Sequence, residues 1–87
     1  MEITFARNIM VDLGQEYCEL LEEGHLNEHA YEILNEKIRN EYDGEIWEIV
    51  DDEENSDELE FDDVLYEIMS EVESLGNYYF ENIQAGN

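Results

Sequence analysis

The chain is almost without positive charge. Its 87 residues include only 3 lysines and arginines against 26 aspartates and glutamates, which gives a formal net charge of -23 at pH 7. Proteins that bind nucleic acids or anionic membranes neutralise phosphate with clusters of lysine and arginine. The composition therefore argues against direct binding to nucleic acid and against binding to an anionic membrane.

Proline is absent, and cysteine occurs only once, as Cys18. A single cysteine cannot form an intramolecular disulfide, which fits a reducing compartment. The N-terminal region lacks a basic segment followed by an apolar run, and no apolar run approaches the ~20 residues of a membrane span. We therefore expect a cytoplasmic protein without a secretory signal or a membrane segment.

Apolar residues nevertheless make up 43% of the chain, more than is usual in disordered acidic tails. They recur three and four residues apart, which predicts helices with one buried face. The first helix is expected to begin near Thr4 and to end at Gly24. The second is expected to be capped by Asn27, and the third to end at Gly76 before a short final helix or packed tail.

These helices predict an all-α fold, a small bundle of three to four helices with an acidic surface, as a single domain over residues 1–87. Residues 45–50 fit either a helical turn or a short strand. A helix is favoured because the chain has no second clear strand with which such a segment would pair.

Many carboxylates recur four residues apart, which places them above one another on a helix surface. Like charges at this spacing cost a few tenths of a kcal/mol per pair, so selection for helix stability alone would have placed lysine at many of these positions. A third row requires the second helix to continue past Gly44. The rows predicted to bind a partner are Glu28, Glu32 and Glu36, then Asp63, Glu67 and Glu71, and finally Glu41, Glu45, Glu48 and Asp52.

The density of this negative charge is close to that of duplex DNA. Duplex DNA carries one charge per ~1.7 Å, so a charge of -23 corresponds to about 39 Å of duplex. A compact domain of this length is roughly 30 Å across. These magnitudes predict that the carboxylates stand in for phosphates, the alternative being an ordinary solvated face.

The segment over residues 29–39 reads HAYEILNEKIR. It resembles the early helix of the Ocr-like phage anti-restriction proteins, which mimic DNA. The resemblance implies an inhibitor that occupies the DNA groove of a type I restriction–modification enzyme in the host cytoplasm, with Glu32 and Glu36 in place of phosphates. The positions that carry it are His29, Ala30, Tyr31, Glu32, Leu34, Glu36, Ile38 and Arg39.

Two alternatives stay open for the function. Other phage DNA mimics, including several anti-CRISPR proteins, share this size and charge, so the target can instead be the DNA channel of a CRISPR effector. The chain can also be an acidic adaptor that binds a basic partner without mimicking DNA. All three functions predict a basic protein as the partner.

Catalytic and metal-binding motifs are not evident. There is no nucleophile elbow and no phosphate-binding glycine loop. A calcium-binding loop counted from Asp51 would need glycine and glutamate where Ser56 and Asp62 stand. His25 and His29 are four residues apart and could bind a metal with Cys18, although ordinary capping and packing roles are favoured. We therefore expect no enzymatic activity, no cofactor and no metal site.

Three aromatic residues are candidates for self-association. Tyrosine and tryptophan are enriched at protein interfaces, and a homodimer would extend the acidic surface. Trp47, Tyr78 and Tyr79 are the predicted contact residues, with burial in the core as the alternative for Trp47.

Overall fold

The computed structural model of the protein describes residues 5–51 and 60–85. Within these ranges the chain forms four helices and no strand. The expected all-α fold is confirmed, and residues 45–50 are helical. Thr4, predicted to cap the first helix, lies outside the described residues. The helices are α1 (Arg7–Glu22), α2 (Asn27–Glu41), α3 (Asp43–Val50) and α4 (Phe61–Ala85).

The core is built mainly where α1 packs along α4. Leu13 and Tyr17 of α1 are completely buried, as are Ile68 and Val72 of α4. The 25 residues of α4 span about 37 Å at 1.5 Å per residue. The molecule is consequently elongated, with principal extents of 46 × 21 × 17 Å, rather than a sphere roughly 30 Å across.

The predicted end of the third helix at Gly76 is wrong, because α4 continues through this residue to Ala85. Gly76 is buried against α1, and a Cβ atom at this position would lie 2.4 Å from the Tyr17 ring. Gly14 of α1 faces α4 similarly, where an added Cβ would lie 2.9 Å from the Leu75 Cβ. Both glycines therefore allow two helices to approach closely.

Asn27 begins α2, but it does not cap the helix with its side chain as predicted. Its side-chain oxygen and its backbone carbonyl both accept from the Tyr17 hydroxyl, the latter at 3.0 Å, and its Nδ2 donates to Glu73 at 3.0 Å. Asn77 also donates to the Asn27 side chain, at 3.2 Å. Burial, with the Glu73 carboxylate, raises the pKa of Tyr17 to about 12. Asn27 therefore links the start of α2 to α1 and α4.

The turns at the ends of α1 and α2 follow different rules. Gly24 has a φ of +99°, which is a left-handed conformation that favours glycine, so the predicted end of the first helix is confirmed. At the end of α2, Tyr42 leaves the helical conformation with φ -120° and ψ 21°. Its ring lies 5.4 Å from that of Phe5, and α3 starts in a new direction after it.

Candidate functional site

The first predicted carboxylate row lies on the outer face of α2. Glu28, Glu32 and Glu36 are all exposed. The opposite side of the same helix buries Ala30, Leu34 and Ile38 in the core. Since the apolar residues fix the rotation of α2 about its axis, the three carboxylates project into solvent as the sequence predicted.

The second row lies on α4 and is exposed along its whole length. Asp63, Glu67 and Glu71 alternate with buried Val64, Ile68 and Val72, each one position further along the helix. Asp63 has a local role too, because its carboxylate accepts a hydrogen bond from the Glu60 backbone N–H at 3.3 Å. This contact caps the start of α4.

The third predicted row is not continuous. Its premise, one helix running past Gly44, is wrong because the backbone breaks at Tyr42. Glu41 therefore belongs to α2, while Glu45 and Glu48 form an exposed pair on α3. Asp52 lies outside the described residues.

A further acidic row lies on α1. Glu16, Glu19 and Glu23 lie on one side of α1, and the spacing of Asp12, four residues before Glu16, places it in the same row. Asp12 is exposed. Its four-residue spacing was the signal that could have identified it.

Two basic side chains pair with carboxylates across helices. Lys37 of α2 pairs with Glu16 of α1, and the hydrogen bond that Lys37 donates to the Glu16 carboxylate raises the pKa of Lys37. Arg39 of α2 lies 3.2 Å from the Asp62 carboxylate of α4. These pairs leave most of the acidic surface without a cation.

The negative charge is spread along the length of the molecule. The described residues carry 20 carboxylate and three basic side chains, a net charge of -17. Divided along the 46 Å long axis, this is one net charge per about 2.7 Å, against ~1.7 Å for duplex DNA. The linear charge density is therefore within a factor of two of DNA.

The aromatic residues predicted for self-association do not form one patch. Trp47 is 49% exposed, and its ring lies 5.1 Å from Phe61 at the start of α4. Tyr78 is 62% exposed and lies 6.0 Å from Tyr79 near the other end of α4. Phe61 and Tyr78 are 17 positions apart, which corresponds to about 25 Å of helix, so the exposed rings of Trp47 and Tyr78 lie far apart.

The histidine pair is brought together, but Cys18 does not join it. The rings of His25 and His29 stack at 5.0 Å with an interplanar angle of 7°. The Cys18 thiol is buried and donates to Glu22 at 3.5 Å. Burial, with the neighbouring Glu22 carboxylate, raises the pKa of this thiol. Over residues 5–51 and 60–85, no group of three or more potential metal ligands is assembled.

Comparison with protein-family models, with curated proteins and with solved structures finds no match to this chain. In the part of the chain that the structure describes, no helix combines the length and the apolar character needed to cross a bilayer.

Proposed function

We propose that the protein is a DNA mimic that inhibits a DNA-binding protein of a host defence system by occupying its DNA groove. The observation that carries the proposal is the linear density of negative charge, one net charge per about 2.7 Å along a 46 Å axis. Basic grooves attract such a rod by the forces that attract DNA, namely electrostatic steering and the release of counterions.

The phosphate-mimicking groups in this proposal are the exposed carboxylates of α2, α3 and α4. They are held on helices whose opposite faces are buried, so the spacing of the charges is fixed before the partner binds. The host target we propose is a restriction–modification enzyme in the cytoplasm, with the DNA channel of a CRISPR effector as the alternative target. A homodimer through Trp47, Tyr78 or Tyr79 would lengthen the acidic rod.

The direct test is competition with DNA. A labelled duplex is bound to a purified type I restriction–modification enzyme, and the acidic protein is titrated while anisotropy is recorded. We expect displacement of the duplex at a 1:1 or 2:1 ratio of inhibitor to DNA site. Apparent affinity should fall steeply between 50 and 200 mM salt, as it does for DNA itself.

Matched charge variants locate the mimicking surface. The variant E28Q/E32Q/E36Q neutralises the α2 row, and D63N/E67Q/E71Q neutralises the α4 row. The control D12N/E19Q/E23Q removes the same charge from α1. We expect the two row variants to inhibit more weakly than the control, whereas an equal loss in all three would assign the effect to net charge alone.

An acidic adaptor would behave differently in the same assay. It would bind its basic partner while that partner still took up duplex with unchanged affinity, and this result would reject DNA mimicry. Repeating the titration with a CRISPR effector in place of the restriction enzyme distinguishes the two proposed targets.

A further inference from the structure

Aromatic side chains of α2, α3 and α4 lie around the contact between Arg39 of α2 and Asp62 of α4. Along α2, Tyr31 and Arg39 share one side of the helix, because they are eight residues apart. Along α4, Asp62 and Tyr66 share one side, because they are four residues apart. The two sides face each other, since Arg39 pairs with Asp62. We call Tyr31, Trp47, Phe61 and Tyr66 the aromatic seam.

The contacts of Tyr31 join the far end of the seam to α4. Its pKa is raised by burial and, in addition, by the nearby Glu73 and Tyr66 of α4. Tyr31 therefore lies on the side of α2 that faces α4, as does Arg39, which pairs with Asp62. The seam thus has residues on α2, α3 and α4.

One guanidinium is already bound within this seam. The Arg39 guanidinium carbon lies 5.8 Å from the centroid of the Phe61 ring, and its Nη2 lies 3.2 Å from Asp62. Phe61 in turn packs against Trp47 at 5.1 Å. The molecule thus shows, with its own arginine, that an aromatic face and a carboxylate here hold a guanidinium together.

Elsewhere in the seam, aromatic faces and carboxylates are exposed to solvent. Tyr66 is 62% exposed and Trp47 is 49% exposed. Along α2 runs a shallow groove of about 450 Å³, lined by Tyr31, Glu32, Asn35, Glu36 and Arg39. Two carboxylates of the α2 row therefore border aromatic surface along the groove.

We propose that the aromatic seam is a docking surface for an arginine-rich segment of a protein partner. Charge complementarity selects a basic occupant, because Glu32 and Glu36 line the groove and Asp62 already pairs with Arg39 in the seam. Aromatic faces beside carboxylates select arginine over lysine, since a planar guanidinium stacks on a ring while it donates to a carboxylate, and a compact ammonium supplies mainly its charge.

This inference rests on the proposed function in taking the partner to be basic, and it adds the chemical group that is recognised. DNA-binding grooves contain both arginine and lysine. A polyanion alone would favour neither strongly, whereas the seam favours arginine. Among the arginines of a target groove, those on a protruding segment are the ones that a seam between two helices can receive.

The test compares two labelled peptides of equal length and charge, one with arginine and one with lysine as its only cations. Each is titrated with the 87-residue protein, and both anisotropy and the fluorescence of Trp47, the only tryptophan, are recorded. We expect tighter binding of the arginine peptide and a change in Trp47 emission on its binding. Tyr66→Ala should weaken binding of the arginine peptide about two- to fivefold, and that of the lysine peptide less.

Tyr78→Ala is the matched control. Tyr78 is exposed to the same extent as Tyr66, 62%, but lies 12 residues further along α4, about 18 Å away. It should leave both affinities unchanged. The variant E32Q/E36Q should weaken both peptides, because it removes charge from the groove without removing a ring. Circular dichroism of each variant verifies that the helices are intact.

Equal affinities for the two peptides, or equal effects of Tyr66→Ala and Tyr78→Ala, would overturn the docking surface. Failure of the proposed function would give a different experimental result. An arginine preference that depends on Tyr66, without displacement of duplex from the restriction enzyme or the CRISPR effector, would retain the docking surface and reject DNA mimicry. Displacement of duplex that Tyr66→Ala leaves unchanged would retain mimicry and reject the docking surface.

Discussion

At the scale of single residues, Tyr17 both packs in the core with its ring and makes hydrogen bonds to Asn27 with its hydroxyl. Its ring is completely buried against Gly76, while its hydroxyl reaches the backbone carbonyl of Asn27 at 3.0 Å. A buried hydroxyl without such acceptors would cost free energy. The Asn27 contacts therefore let a tyrosine occupy a position where the sequence pattern predicts only an apolar residue.

Replacing Tyr17 by phenylalanine should change how stability depends on pH. The folded protein holds the phenolic proton more tightly than the unfolded chain, since the pKa rises from 10.0 to about 12 on folding. The stabilisation from Tyr17 is therefore complete below pH 10 and is lost as the pH rises from 10 through 12. Tyr17→Phe should cost about 1 kcal/mol at pH 7 and show a shallower decline above pH 10.

Urea unfolding followed by circular dichroism at pH 8, 10 and 11 measures this difference. Lys37, whose pKa is also raised, contributes to the decline in both proteins, so it cancels in the comparison. Tyr78→Phe, at an exposed position, serves as the control and should keep the wild-type profile. Parallel curves for the wild type and Tyr17→Phe would contradict a raised pKa for this phenol.

At the scale of helices, the close approach of α1 and α4 depends on two glycines. Replacement of Gly76 by alanine should destabilise the protein by about 1–3 kcal/mol, because its Cβ would lie 2.4 Å from the Tyr17 ring and overpacking outweighs the better helix propensity of alanine. Gly44→Ala is the control. A Cβ atom added at Gly44 would meet no neighbour within 4 Å, and the residue lies in α3, so this variant should stabilise the protein by up to about 1 kcal/mol.

The urea midpoints of Gly76→Ala and Gly44→Ala test this prediction, since the two variants make the same chemical change in a helix. If Gly76→Ala is as stable as the wild type, the two helices are not packed as closely as the structure shows. If Gly44→Ala also destabilises, the helical conformation of α3 at that position is in question.

The same glycines show which parts of the fold follow from local sequence. The apolar stripes predicted the buried faces of α1 and α2, and Gly24 was correctly placed at a helix end because its role is local. Gly76 was assigned the same role and this was wrong, because its function is to make room for Tyr17 of another helix. Spacing within one segment carries no information about such a contact.

The candidate site, too, could be predicted from local sequence only in part. The rows at Glu28 and Asp63 follow from four-residue spacing on uninterrupted helices, so they were predictable. The row through Glu41 failed because Tyr42 packs against Phe5 and breaks the helix. The aromatic seam could not be predicted at all, because it depends on how α2 is placed beside α4.

At the scale of the whole molecule, shape and charge act together. The cross-section of 21 × 17 Å is narrower than the Debye length of about 30 Å at 0.01 M salt, and wider than the ~8 Å length at 0.15 M. At low salt, carboxylates on all faces therefore repel one another through and around the rod. At physiological salt, only neighbouring carboxylates still do.

Salt should therefore stabilise this protein, contrary to the usual weakening of surface ion pairs. The net charge of -23 opposes the compact state through self-repulsion, and only two cross-helix ion pairs are seen in residues 5–51 and 60–85 to weaken on screening. We expect the melting temperature to rise between 0.01 and 0.15 M NaCl, by about 4–8 °C for each kcal/mol of repulsion relieved. Most of the rise should occur within this range, because screening saturates while salting-out effects grow only at higher concentration.

The variant D12N/E19Q/E23Q, with three fewer charges, should melt at a higher temperature in 0.01 M NaCl and gain less on addition of salt. A melting temperature that falls over the same range would mean that the two ion pairs outweigh the repulsion. It would also remove the physical basis for treating the molecule as a uniformly charged rod.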